Sequence, residues 1–148
     1  MKDNIEWQYM GDVFDTPVGF GFVYMIKFED GEKYIGKKNF YSKRKRNFGK
    51  KELALITDKR KKKYEIVTKE SDWKSYVSSN SVVHQKIKDG IPYYKEILFL
   101  GSCSKHLSFL EEYYLFTYSV LWNEDYINDN IGGRYFSKDI HEWEWIRN

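Results

Sequence analysis

The sequence predicts an α+β fold in a single domain, a small three-stranded antiparallel sheet with flanking helices. Three observations lead there. A β-branched and aromatic run at 22–28 meets a short partner at 33–37 across an Asp-Gly turn. A third bulky run at 93–100 follows a Gly-Ile-Pro break, and helical stretches are entered through Ser and Asn. A chain of 148 residues suits one domain able to bury a real core. Aromatic residues are 19% of it, so the mean hydropathy of −0.72 reflects charge and not a missing core.

The first strand is expected over Phe22 to Phe28, the turn over Glu29-Asp30-Gly31-Glu32, and the antiparallel partner over Lys33 to Lys37. Period two sets Tyr24, Ile26 and Phe28 on one face of the first strand and Tyr34 and Gly36 on one face of the second. Two phenols ten positions apart then share a sheet face.

Residues 37–63 hold thirteen Lys and Arg against only Glu52 and Asp58, a local charge of +11 in a chain of net charge +3. Such a segment suits a polyanion, because each cation placed on a phosphate releases condensed counterions. Lys38, Lys43, Lys45, Arg46, Lys59, Arg60, Lys61, Lys62 and Lys63 are the candidate phosphate contacts, with Phe40, Tyr41, Phe48 and Tyr64 placed as stacking residues. The segment reads as a flexible insertion, and the plain alternative is a solvated loop.

Ser78, Ser79 and Asn80 are candidate N-caps for a helix carrying Val82, Val83 and Ile87, which stops near Asp89-Gly90. Tyr93 to Leu100 is the third strand. Ser104 then caps a helix to about Leu121, a loop follows at 126–133, and a tail at 134–148 with Ile140, Trp143, Trp145 and Ile146 folds back onto the body. Rotating the long helix at about 100° per residue places Glu111 among Leu107, Leu115 and Tyr118, while Glu112 falls among serines. A carboxylate in an apolar stripe is costly unless paired, hydrogen-bonded or bound to a cation.

Several classes are excluded. Single Cys103 permits no intrachain disulfide or multi-cysteine zinc site and is expected at least half-buried. His84, His106 and His141 have no zinc-ligand spacing. No GxxxxGK[ST] loop is present, so no nucleotide cofactor is expected. Met1 to Glu6 begins no signal peptide and no apolar run approaches about 18 residues, so a soluble cytoplasmic protein without membrane contact is expected.

The hairpin resembles that of the GIY-YIG nucleases, whose two signature strands present a tyrosine each. Tyr34-Ile35-Gly36 keeps the second half whole, and Phe22-Val23-Tyr24 keeps only the tyrosine of the first. The order of elements after it, with Ser78-Ser79, a helix, Gly90 and the 93–98 strand, is similar to the homing-endonuclease branch, and the likeness spans roughly 20–133. It implies a metal-dependent DNA endonuclease like the stand-alone members that bacteriophages and mobile elements encode. The alternative is a non-catalytic nucleic-acid-binding module on the same fold.

What the resemblance implies for residues is specific. Glu111, followed by Tyr114 and Leu115, matches the glutamate that holds Mg²⁺ or Mn²⁺. Asn128 matches the loop asparagine that orients the site, with Asn130 its rival. Counting ten residues past Tyr34 gives Arg44 on a helix after the second strand as the phosphate-neutralising arginine, with Arg46 and Arg60 as alternatives. Lys37 matches a basic residue that steadies the nucleophile or a phosphate oxygen. Tyr24 or Tyr34 would orient or deprotonate water, and the nearness of Lys37 in sequence favours Tyr34. The histidine that often follows the arginine has no counterpart, since position 48 is Phe.

Overall fold

The computed structural model describes residues 5–143. Two very short strands, β1 (Trp7–Tyr9) and β2 (Asp12–Val13), open the chain, followed by β3 (Gly21–Phe28) and β4 (Lys33–Asn39). The basic segment forms β5 (Tyr41–Asn47), α1 (Lys50–Ala54) and β6 (Tyr64–Glu70). Then come α2 (Ser81–Lys88), β7 (Tyr93–Gly101) and α3 (Ser104–Thr117), and finally β8 (Asn130–Ile131), β9 (Tyr135–Phe136) and α4 (Ser137–Glu142).

The β3–β4 hairpin turns at Asp30-Gly31, where Gly31 has φ +96°, and pairs Tyr24 with Gly36 and Ile26 with Tyr34. Strand β7 lies antiparallel against the other side of β3, which completes the expected three strands. The sheet nevertheless has five strands in the order β2-β1-β7-β3-β4 and is mixed, because β1 runs parallel to β7 and β2 folds back on β1. The added pair covers the edge that β7 would otherwise expose.

Strand β3 lies inside the sheet between β7 and β4 and is buried on both faces, as its continuous apolar run requires. Val23, Met25 and Ile35 pack under α3 with Leu107, Leu110 and Leu115, joined by Ile140 of α4, so of the expected tail contacts Ile140 packs onto the body. Trp145 and Ile146 lie outside the described residues, and Trp143 is exposed. Phe22, Tyr24, Ile26 and Phe28 face the other way into a cluster with Trp7, Phe40, Trp73 and Val83. Helix α2 starts where its cap chemistry dictates: Asn80 accepts hydrogen bonds from Val82 N (2.8 Å) and Val83 N (3.2 Å). In α3 the N-cap position is Cys103 and not Ser104, and its thiol is exposed, contrary to expectation.

The larger departure is the basic segment. It is a two-stranded ribbon, with Tyr41 opposite Glu70 at its base and Asn47 opposite Tyr64 at its far end. Phe40 anchors it, and so cannot stack on a nucleic acid: the ring is fully buried, 5.2 Å from Phe22 and 5.1 Å from Trp73. Ser71 closes the base through Ser71 N to Phe40 O (2.8 Å) and Ser71 Oγ to Asn39 O (2.6 Å). No described helix is long and apolar enough to cross a membrane.

Candidate active site

Strand β4 is the edge of the sheet, so its outward backbone groups need partners. The loop before β8 supplies them. Lys33 N donates to Asp125 O (2.8 Å) and Ile127 N donates to Lys33 O (2.7 Å). Asn128 continues the pairing with its side chain: Oδ1 accepts from Ile35 N (2.9 Å), and Nδ2 donates to Ile35 O (2.8 Å). The carboxamide thus takes the place of a strand residue, and Asn128 rather than Asn130 is locked to the signature strand. Asn130 donates to Asp129 and accepts from Gly133 N (3.0 Å).

A pocket of about 290 Å³ opens at this edge, lined by Tyr34, Asn80, Glu111, Asn128, Asp129 and Asn130 among others. Tyr34 reaches it from one face of β4, while Glu111 descends from α3 on the other face. Alternation along β4 sends Lys37 to the α3 side, where Nζ donates to Ser108 Oγ (2.8 Å) and its charge acts on Glu111. Lys38 points to the tyrosine side, paired with Asp72 (2.7 Å) and 4.1 Å from the Tyr76 ring centroid.

The two signature tyrosines differ in environment. Tyr24 is buried, its ring across the backbone of Gly36, where any added Cβ would collide with the phenol; the glycine of the motif is therefore a packing requirement. Burial pushes the Tyr24 hydroxyl well above the usual phenol range, aided by Tyr76 and Tyr34 and opposed by hydrogen bonding to Ser78. Tyr34 is half-buried, with its ring centroid 6.3 Å from that of Tyr24. Burial raises its pKa too, against hydrogen bonding to Ser78, and the charges of Glu111 and Asp129 add to the rise. Nearness in sequence does not bring Lys37 to Tyr34, because that lysine faces the α3 side of β4.

Glu111 is half-buried, and among the described residues it carries no hydrogen bond or ion pair. Burial raises its pKa, Lys37 lowers it, and Glu112 raises it. Glu112 is exposed beside Gly132. The helical phase of the two glutamates therefore matches what periodicity implies.

The arginines do not join this group. Arg44 sits on strand β5, exposed, and not on a helix; neither it, Arg46 nor Arg60 lines the pocket. Arg46 is held by Glu52 (3.1 and 3.0 Å) and Glu65 (2.5 Å), and Arg60 sits in a turn with its backbone N–H on Asp58 (2.9 Å). Lys43 and Lys45 share β5 with Arg44, and Lys59, Lys61, Lys62 and Lys63 are exposed between α1 and β6.

Residue-type reasoning missed Tyr76, Ser78 and Asp129. The backbone of Tyr76 is held by Lys95, a buried lysine whose Nζ donates to Lys74 O (2.9 Å) and Tyr76 O (3.0 Å), its pKa lowered by burial to about 8, and Ser78 Oγ accepts from Asn80 N (2.8 Å). His84 touches Ser78 O (2.5 Å) and so belongs to the same support. Nothing local in the sequence marks this segment as packing on the hairpin.

A family model described as "Putative endonuclease segE, GIY-YIG domain" matches residues 7–131. The chain belongs to this GIY-YIG family. The match begins at β1 and ends at β8, so the family unit includes the two N-terminal strands that pattern alone left out, and the segment carrying β9 and α4 lies beyond it. No curated protein and no solved structure matches the chain.

Proposed function

We propose that this GIY-YIG domain is a divalent-metal-dependent endonuclease that hydrolyses DNA phosphodiester bonds. The observation that carries the reading is Glu111: a half-buried carboxylate with no hydrogen bond or ion pair among the described residues, opening into the same pocket as Tyr34. No cluster of three or more metal-ligating side chains occurs among the described residues. A single carboxylate with Asp129 nearby suits Mg²⁺, or Mn²⁺, which accepts few protein ligands and keeps its waters. When bound, such an ion supplies charge neutralisation at phosphate and leaving oxygens.

The chain's own residues divide the remaining work. Tyr34 faces the pocket and orients or deprotonates the attacking water, while Tyr24, sealed under Gly36, supports it by packing. Its raised pKa makes Tyr34 a hydrogen-bond donor in the free protein, and cationic charge arriving beside Glu111 and Asp129 offsets the two carboxylates that help to raise it. Lys37 steadies Glu111 and lies where a phosphate oxygen can be met; Lys38 flanks the tyrosine face. Asn128 holds the edge strand in register.

The position of Arg44, Arg46 and Arg60 outside the pocket favours a second reading, a nucleic-acid-binding module without catalysis. A cleavage assay on supercoiled plasmid with and without Mg²⁺ decides between them. Divalent-dependent nicking by the wild type, lost in Glu111→Ala and kept in Glu112→Ala, supports the enzyme. No cleavage of duplex, single-stranded or branched DNA leaves the binding module.

A further inference from the structure

We propose that the β5–β6 ribbon is a groove-reading arm that enters the major groove of duplex DNA. The proposal rests on the DNA reading given above, but not on catalysis. Seven paired residues at about 3.4 Å each make an arm of roughly 23 Å, which matches about seven base-pair steps. Two strands about 4.8 Å apart with their side chains fill a groove of about 12 Å and cannot enter one of about 6 Å.

The distribution of charge favours insertion over flat docking. The cross-strand pairs put Lys43 with Thr68 and Lys45 with Ile66 on one face, and Arg44 with Val67 and Lys69 with Ser42 on the other. Cations thus project from both faces, so whichever face turns to the bases carries long side chains able to reach phosphates on the groove walls. These four carry no ion pair among the described residues, whereas Arg46 is engaged by Glu52 and Glu65 and fastens the ribbon to α1. Lys45 lies 3.9 Å from the Tyr64 ring centroid, which keeps it extended along the strand.

The ribbon's composition fits the same partner. Neither strand has a buried residue, and Ile66 and Val67 are 56% and 41% exposed at mid-ribbon, where no protein layer covers them. Ile66 lies on the Lys43 and Lys45 face and Val67 on the Arg44 face, so whichever face turns to the bases brings one apolar side chain to thymine methyl groups on the groove floor. Over residues 41–70 twelve Lys and Arg face four Asp and Glu, a charge of +8, so the remainder of the chain carries −5 (3 minus 8). The arm continues directly from β4, whose edge borders the pocket.

The test uses the full chain in metal-free buffer with three probes. They are a DNA duplex of about three helical turns with a block of about four A·T pairs in every half turn, the same sequence as an RNA duplex, and the DNA duplex with its A·T blocks saturated by the minor-groove ligand netropsin. A-form RNA has a major groove too narrow for side chains, so a groove-inserted ribbon binds DNA about tenfold or more tighter than RNA. Netropsin should change that affinity by less than about twofold. The variant Lys43→Thr, Arg44→Thr, Lys45→Thr, Lys69→Thr keeps strand-compatible residues, and its melting curve checks the fold. It should lose the DNA preference and lower the slope of log affinity against log salt by about 3 to 4. Equal binding of both duplexes, displacement by netropsin, or an unchanged preference in a folded variant would overturn the proposal. Plasmid cleavage by the wild type is scored separately, so a nuclease without groove insertion and a groove binder without nuclease activity give different results.

Discussion

Glu111 and Glu112 are adjacent in sequence, yet one opens into the pocket and the other into solvent. Alanine at 111 should abolish cleavage with folding and much of the DNA binding preserved, and alanine at 112 should be nearly silent. The protonation of Glu111 gives a signed expectation for pH. Burial already raises its pKa and Lys37 holds it down, and the carboxylate must be ionised to attract a cation, so activity falls as pH drops through that pKa. Lys37→Met removes the lowering charge, and the acidic limb of the pH–rate profile should move to higher pH while Tm is nearly unchanged. The tyrosines separate in the same manner. Tyr34→Phe should lower the cleavage rate by about a hundredfold or more with little change in Tm. Tyr24→Phe, deep in the core, should cost stability on the order of 1 kcal/mol, read as a lower Tm, and spare most of the activity. Wild-type cleavage by the Tyr34 variant would remove the phenol from the mechanism.

At the scale of elements, the site depends on how the free edge of β4 is closed. Asn128→Ala releases both backbone groups of Ile35, a loss of about 1–2 kcal/mol, so the Ile35 amide should exchange with solvent roughly tenfold faster or more. Unchanged exchange would mean that the clamp does not hold the strand. This closure was only partly legible in the sequence: family likeness pointed to an asparagine at position 128, but not to a side chain replacing a strand. The β3–β4 hairpin was readable because Asp30-Gly31 announces its turn after an apolar and aromatic run, and Tyr34 and Ile35 follow at strand spacing. Strands β1 and β2 were not, being three and two residues long around a turn in which Met10 takes φ 52° beside Gly11 at 86°, a conformation a methionine does not advertise. The ribbon escaped for a different reason. Period-two reading needs one face apolar, and β5 and β6 bury neither face, so seven basic and polar residues read as a loop although they form a complete ladder.

The whole molecule is held by long-range pairing, with β7 from the second half of the chain inserted between β1 and β3 from the first. Trypsin should cut first at the exposed Lys59–Lys63 stretch. The nicked protein should still elute as one particle and melt in one transition, because the cut leaves the central sheet intact. Separation of the fragments on gel filtration would contradict that architecture. The ribbon's +8 against −5 elsewhere has a further consequence, which operates before any contact is made. Opposite charges at two ends of one small body form an electric dipole, and a dipole in the field of a polyanion feels a torque as well as a pull. Tumbling near DNA is therefore biased towards arrival with the ribbon leading and the acidic body trailing, and added salt, by shortening the reach of that field, randomises the approach and slows productive encounter.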